Sequence, residues 1–149
     1  MTDLHMPTLR QARTADWQTV RDLLVASGLP ADDLGPERLD GFLVAEDGDE
    51  LVGLIGLDVL GTTGLLRSLV VAEPARRIGL GGKLVGALES AAQTAGITDL
   101  WLLTIDAEKF FERHGYDIVE REIAPDEIRD TDEFGNLCPQ TAYLMTKSL

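Results

Sequence analysis

The chain has 149 residues, 44% hydrophobic and 26% charged, a make-up that suits one globular domain spanning 1–149 and excludes a disordered segment. Its formal charge of −13 argues against nonspecific nucleic-acid binding, which needs a cationic surface to displace counterions. The longest apolar run, Leu51 to Leu60, is too short for a membrane span and is broken by Gly53, Gly56 and Asp58, so no membrane role is expected.

The start of the chain, with Asp3, His5 and Pro7, lacks the basic head and apolar core of a signal peptide. A lone Cys138 offers no internal disulfide, and a cytoplasmic location is expected. Thr8 to Ala12 reads as a first strand. Thr14 is expected to cap the helix that follows, whose Trp17, Val20, Leu23, Leu24 and Ser27 share a face before Gly28 and Pro30 end it. Asp32 to Leu39 suggests a second, shorter helix. Phe42 to Glu46 and Leu51 to Leu60 flank Asp47-Gly48-Asp49, the pattern of a hairpin. After a turn at Gly61 to Gly64 comes the strand Leu65 to Ala72.

A loop containing Pro74 leads to a long helix from Gly79 to Ala95, with Leu80, Leu84, Leu88, Ala91, Ala92 and Ala95 as its apolar stripe and Gly96 at its end. Leu100 to Ile105 reads as a buried strand of the parallel type. Asp106 is placed to cap a helix over Ala107 to His114, closed by Gly115. Tyr116 to Ile123 and Thr141 to Lys147 complete the sheet, with a short helix and loop over Pro125 to Pro139. The expected fold class is α/β with a mixed sheet, antiparallel first and parallel later.

The densest basic segment, Arg76, Arg77 and Lys83, surrounds Gly79, Gly81 and Gly82 at the start of the long helix. First-turn N–H groups lack intrahelical partners and the helix dipole adds positive potential, so glycines there let a phosphate approach the backbone. Tight packing of strand on helix is the other reading of the same glycines. A P-loop fits poorly, because Gly82-Lys83 is followed by Leu84 rather than a hydroxyl residue. The dinucleotide fingerprint also fits poorly, because Gly79, Gly81 and Gly86 miss its spacing.

Arg76-x-x-Gly79-x-Gly81, preceded by Leu69-Val70-Val71, resembles the acetyl-CoA signature of the GCN5-related N-acetyltransferases. Ala107-x-x-Phe110-Phe111-x-x-x-Gly115-Tyr116 is similar to that family's late helix and strand. The resemblance implies a GNAT-like domain with a splayed central sheet, acetyl-CoA as cosubstrate, and an amine as acceptor. It implies that backbone N–H groups of Ile78, Gly79, Gly81 and Gly82 hold the pyrophosphate, with Leu80 also on the cofactor side and Arg76, Arg77 and Lys83 at the rim. Leu69, Val70 and Val71 would pair with the pantetheine arm, and an N–H near Leu69 would polarise the thioester carbonyl. Phe111 stands on the cofactor side where many members carry the tyrosine acid.

That substitution leaves the proton donor open. Tyr116 falls where the family usually has a buried phenylalanine, and Tyr143 on the last strand is a second candidate. Glu133 is the candidate general base, against the plain reading of a solvated loop carboxylate. Arg67, inside an apolar strand, reads either as a clamp on a substrate anion or as an edge-facing arginine paired with an acidic neighbour. Cys138 lacks the basic surroundings of a nucleophile and reads as a core residue; His5 and His114 have no better claim, and no metal site is expected.

The stretch from Ile128 through Thr131, Glu133, Phe134, Cys138 and Pro139 to Thr141 is similar to the tail of acetyltransferases from arsenic-resistance clusters, relatives of enzymes that acetylate phosphinothricin-like amino acids. This resemblance implies a small amino-acid acceptor, with Arg67, Ser68, Thr104, Thr131, Glu133 and Thr141 around it. Polyamine or protein N-terminal acetylation, and a non-catalytic acetyl-CoA sensor, are the alternatives. Relatives pair through sheet edges, so a homodimer is the expected assembly.

Overall fold

The computed structural model describes residues 7–29, 31, 34–72, 79–131, 134–135 and 141–149. Seven strands form one sheet in the order β1-β2-β3-β4-β5-β7-β6. They are β1 Thr8–Gln11, β2 Phe42–Asp47, β3 Glu50–Leu60, β4 Thr63–Val71, β5 Asp99–Thr104, β6 Asp117–Val119 and β7 Tyr143–Ser148. The helices are α1 Trp17–Ala26, α2 Leu80–Thr94, α3 Glu108–Arg113 and α4 Asp126–Arg129. The chain divides into two compact units, Met1–Gly56 with Ser68–Ser90, and Leu57–Arg67 with Ala91–Leu149.

In the first unit, β1 pairs antiparallel with β2 and β2 antiparallel with β3, with an irregularity between Ala45 and Glu46. The expected hairpin is present, and Gly48 supplies the positive φ of 62° that its tight turn requires. Alternation along β2 buries Phe42 and Val44, which join Val20, Leu24, Leu39, Leu54 and Val70 in one apolar cluster. Phe42 lies against Gly56, where an added Cβ would stand 2.6 Å from the ring's Cζ, so this strand crossing requires glycine.

The start of α1 differs from expectation. Thr14 opens a 3-10 turn, Thr14–Asp16, rather than capping the helix. Arg13 N–H donates to Asp16 Oδ2 at 2.7 Å, and Arg10 holds the same carboxylate from β1 at 2.8 and 3.0 Å. Asp16 therefore serves the entry to the helix that the spacing assigned to Thr14. The second expected helix is a 3-10 turn at Pro36–Gly41, begun by a proline whose fixed φ suits a first turn; Asp32 and Asp33 lie outside the described residues.

In the second unit, β4 runs parallel to β5 over Thr63–Leu65 and Asp99–Trp101. The last strands are not parallel as the sequence order suggested: β7 lies antiparallel to both β5 and β6. Antiparallel neighbours need no long crossover helix, and among the described residues the helices between β6 and β7 are short. The strand expected over Tyr116–Ile123 shortens to Asp117–Val119, after which the chain turns through Arg121–Ile123. Leu65, Trp101, Ala124, Ile128 and Leu144 form the apolar cluster beneath α4. Asp106 does not cap α3; Thr104 Oγ1, three residues before Ala107, accepts the Ala107 N–H at 3.0 Å. Among the described residues, no helix is long and apolar enough to cross a membrane.

Candidate active site

The first candidate site lies within the first unit, where β4 ends and α2 begins. Val70 is buried while Leu69 and Val71 are half-buried, so the end of β4 offers backbone beside the core rather than inside it. Gly79 adopts φ 76°, a left-handed turn that glycine takes without strain and that directs the chain into α2. Lys83 N–H bonds Gly79 O at 3.2 Å, and the N–H groups of Leu80, Gly81 and Gly82 lie ahead of that bond in the first turn. Gly81 and Gly82 are half-buried and Lys83 is exposed, leaving its ammonium at the rim.

The helix start is seated by close approach. Leu80, Leu84, Val85 and Leu88 are buried. Gly53 of β3 has no Cβ because one would stand 3.1 Å from Leu80 Cδ2, Leu84 Cδ1 and Val70 O. One glycine thus brings the α2 start down against the strand layer and beside the end of β4. A fifteen-residue helix carries a substantial dipole, and its glycine-rich first turn suits an anion such as a pyrophosphate. Arg76, Arg77 and Ile78 lie outside the described residues.

Immediately before the β4 terminus, Ser68 has φ 62° although it is not glycine, and it is only 8% exposed. A left-handed residue inside a strand interrupts the alternation of side chains and turns neighbouring backbone groups out of the ladder. Such strain costs about 1–3 kcal/mol and persists where surrounding packing over-determines it. The sequence gives serine no special place here, so this distortion was not legible from composition.

Arg67 belongs to the second unit. It is 2% exposed, and Nη1 lies 3.8 Å from Asp58 Oδ2, whose side chain is 20% exposed. The arginine is therefore buried rather than edge-facing, although the acidic neighbour is real. Asp58 was missed, yet a signal existed: it and Arg67 are the charges interior to β3 and β4. The short turn between those strands puts them within diagonal reach.

Two of the other acceptor-side candidates, Thr104 and Thr131, make local hydrogen bonds. Thr104 caps the turn before α3. Thr131 Oγ1 donates to Ile128 O at 2.6 Å and accepts the Phe134 N–H at 3.2 Å. Thr141 is exposed just before β7, and Glu133, Cys138 and Pro139 lie outside the described residues. Phe111 is 4% exposed, packed edge-on against Phe110 at 5.1 Å and Tyr116 at 5.5 Å between ring centroids. Tyr116 is 1% exposed, with Lys147 Nζ 5.5 Å from its ring centre. Tyr143 stands exposed at the start of β7, opposite Thr104. Among the described residues, no group of three or more His, Cys, Asp or Glu is placed to hold a metal.

With this geometry in place, comparison with known proteins is informative. Residues 3–116 match the model of the acetyltransferase (GNAT) family. An uncharacterised N-acetyltransferase of Chlorobaculum tepidum is 32% identical over 94 residues, which are 62% of this chain and 59% of that relative. The match thus spans under two thirds of the relative's length. The N-acetylglutamate synthase of Neisseria gonorrhoeae, crystallised with coenzyme A and N-acetyl-glutamate, superposes with TM-score 0.84 at 19% identity. It covers 97% of this chain and 35% of that one, a likeness of fold. Rv2747 of Mycobacterium tuberculosis, crystallised with CoA and NLQ, gives TM-score 0.78 at 25% identity, over 96% of this chain and 99% of that one.

Proposed function

This chain belongs to the acetyltransferase (GNAT) family, and on that premise we propose that it transfers acetyl from acetyl-CoA to the amino group of a small amino acid. The observation that carries the donor half is the passage from Leu69–Val71 through Gly79 into the first turn of α2. A strand end with available backbone and a glycine-rich helix start fit a pantetheine amide chain followed by a pyrophosphate. In this reading the N–H groups of Leu80, Gly81 and Gly82 hold phosphate oxygens, and Lys83 contributes charge at the rim, with Arg76, Arg77 and Ile78 completing the cradle. When bound, acetyl-CoA supplies an activated acyl group and a thiolate leaving group.

The chain's own residues prepare the acceptor. Arg67 is proposed to bind a carboxylate or comparable anion of the substrate, because its guanidinium is buried within β4, where an anion contact is shielded from water. Ser68, Thr104, Thr131 and Thr141 are proposed to line the acceptor region. Glu133 remains the proposed base that takes the ammonium proton, directly or through water. Tyr116 and Phe111 are proposed to support the site through packing, consistent with their burial. The similarity of the 128–142 stretch to the arsenic-resistance group favours a glutamate-like or arsenical amino acid. The N-acetyl-glutamate bound to the Neisseria gonorrhoeae neighbour supports the same acceptor class. A cytoplasmic homodimer is the proposed assembly and location.

The test is direct: purified protein, acetyl-CoA, a thiol reporter and a panel of amino acids, polyamines and N-terminal peptides. Turnover on glutamate-like amino acids is expected. Turnover confined to polyamines or peptides overturns the amino-acid reading, and acetyl-CoA binding without any turnover identifies a sensor.

A further inference from the structure

Asp58 is a carboxylate that neither the cofactor site nor the proposed proton transfer uses. It lies on β3 two residues before Leu60, and Arg67 lies on β4 two residues after Leu65. Leu65 belongs to the apolar cluster with Trp101, Ala124, Ile128 and Leu144, and Leu60 packs against that cluster. Strand alternation therefore directs both charged side chains to the face of the sheet that carries α4. β3 and β4 are neighbours in the sheet, joined by the turn at Gly61, and Arg67 Nη1 comes within 3.8 Å of Asp58 Oδ2.

The two partners are not equally accessible. The Arg67 side chain is fully covered, whereas that of Asp58 keeps 20% exposure. The pair thus has depth, with the cation inside and the carboxylate towards solvent. A carboxylate has about four acceptor directions, so contact with Arg67 does not exhaust Asp58. An α-amino acid carries its ammonium and its carboxylate on one carbon. When its acid end enters first and meets Arg67, its ammonium comes to rest close to the same guanidinium. Two cations would then face each other where water screens them poorly. Asp58 puts an anion at that point.

We infer that Asp58 binds the ammonium group of the acceptor, so that the Asp58–Arg67 pair reads a zwitterion by both of its charges. The inference rests on the reading that Arg67 takes the acceptor's acid group. It assigns binding to Asp58 and leaves proton removal to a separate base. Each charge of the amino acid meets its opposite, whereas an acid without the amine brings a second anion beside Asp58.

The experiment titrates L-glutamate and its des-amino counterpart, glutarate, into the protein saturated with coenzyme A. Wild type should bind L-glutamate more tightly than glutarate by about tenfold or more. In Asp58→Asn the Kd and KM of L-glutamate should rise about tenfold or more, while glutarate binds as well as before or better. Affinity for acetyl-CoA should not change. Asp58→Glu, which keeps the charge, should recover most of the L-glutamate affinity, and Arg67→Met should weaken both ligands.

If both ligands weaken together in Asp58→Asn, Asp58 only supports Arg67 and the inference fails. It fails equally if wild type binds the two alike, or if Asp58→Asn leaves L-glutamate unaffected. The wild-type comparison and Asp58→Glu keep the matter decidable should Asp58→Asn not fold. If wild type binds no amino acid and acetylates polyamines or peptides instead, the amino-acid reading falls by itself. Asp58→Asn must then still raise the KM of the acetylated amine about tenfold, since the ammonium is common to all of them. An unchanged KM there overturns Asp58 as well, and failure to bind any amine overturns both readings.

Discussion

Arg10 in the first unit and Arg67 in the second are both strand arginines facing carboxylates, and the difference between their surroundings separates a structural ion network from a candidate binding group. Arg10 makes close, two-pronged contacts with Asp16 at 2.8 and 3.0 Å and with Glu46 at 3.3 and 3.4 Å, while its side chain keeps 20% exposure. Its hydrogen bonds to Asp16, then to Glu46, raise its own pKa further above the ordinary range. Arg67 is buried, with Nη1 3.8 Å from Asp58 Oδ2. Burying a cation is costly unless its partners compensate. The first arrangement sits in a partly wet setting. The second places a charge in the interior beside a strained strand residue, which is where a ligand contact gains most from exclusion of water.

The sharpest way to break this contrast is to remove each arginine. Arg67→Met should lower acceptor kcat/KM by about 100-fold or more, on the scale of losing a buried charge-assisted contact, while acetyl-CoA affinity changes little. Arg10→Met should leave turnover intact and lower thermal stability instead. Parallel steady-state kinetics and isothermal titration with acetyl-CoA decide the matter. Equal losses of turnover in both variants would erase the distinction.

The donor site provides the next test. Gly81→Asp introduces a carboxylate into the first turn of α2 and should weaken acetyl-CoA binding at least tenfold, with the circular-dichroism spectrum preserved. Gly53→Ala should act less directly. Its new Cβ meets Leu80, Leu84 and the Val70 carbonyl, so a loss of about 1–3 kcal/mol in denaturant unfolding should accompany a smaller loss of cofactor affinity. Unchanged affinity in folded Gly81→Asp would sink the proposed cradle. At Ser68, valine should cost about 1–3 kcal/mol, since a β-branched side chain fits the left-handed region poorly, whereas glycine should be tolerated.

The smallest effect is a pH dependence on the Arg10 side. Hydrogen bonding from Arg10, assisted by the Arg13 N–H and opposed by burial, lowers the Asp16 pKa from 3.8 to about 2. A carboxylate whose folded pKa is depressed contributes stability that is complete above its unfolded pKa. That contribution disappears as pH falls through the folded value. Asp16→Asn should therefore be less stable than wild type near neutral pH, and the two should converge as pH drops from about 4 towards 2. A stability gap that stays constant over that range would show that Asp16 acts by packing rather than by charge.

The surroundings of Thr131 and Arg121 show why parts of the molecule escape a reading of motifs. Thr131 was singled out as a substrate contact on its residue type, and its hydroxyl also donates to Ile128 O and accepts the Phe134 N–H, bonds the motif did not indicate. Short polar side chains look alike in sequence whether they meet a ligand or a nearby backbone group. Arg121 attracted no attention because its two partners, thirteen and twenty-one positions away, are a ring and a carbonyl. The same limitation applied at Asp106: either it or Thr104 was chemically able to cap, and only the path of the chain made Thr104 the acceptor.

By itself the sequence determined the family, the alternation of strands and helices, the hairpin at Gly48 and the glycine-rich start of α2. These features depend on periodicity, turn residues and short spacings, which act over a few positions along the chain. Tertiary structure decided the antiparallel placement of β7, the left-handed Ser68, the burial of Arg67 beside Asp58 and the contacts of Arg121 with Phe134 and Ala142. Each of these depends on residues brought together from distant positions, where packing and desolvation, rather than local preference, choose among conformations that the sequence leaves equally open.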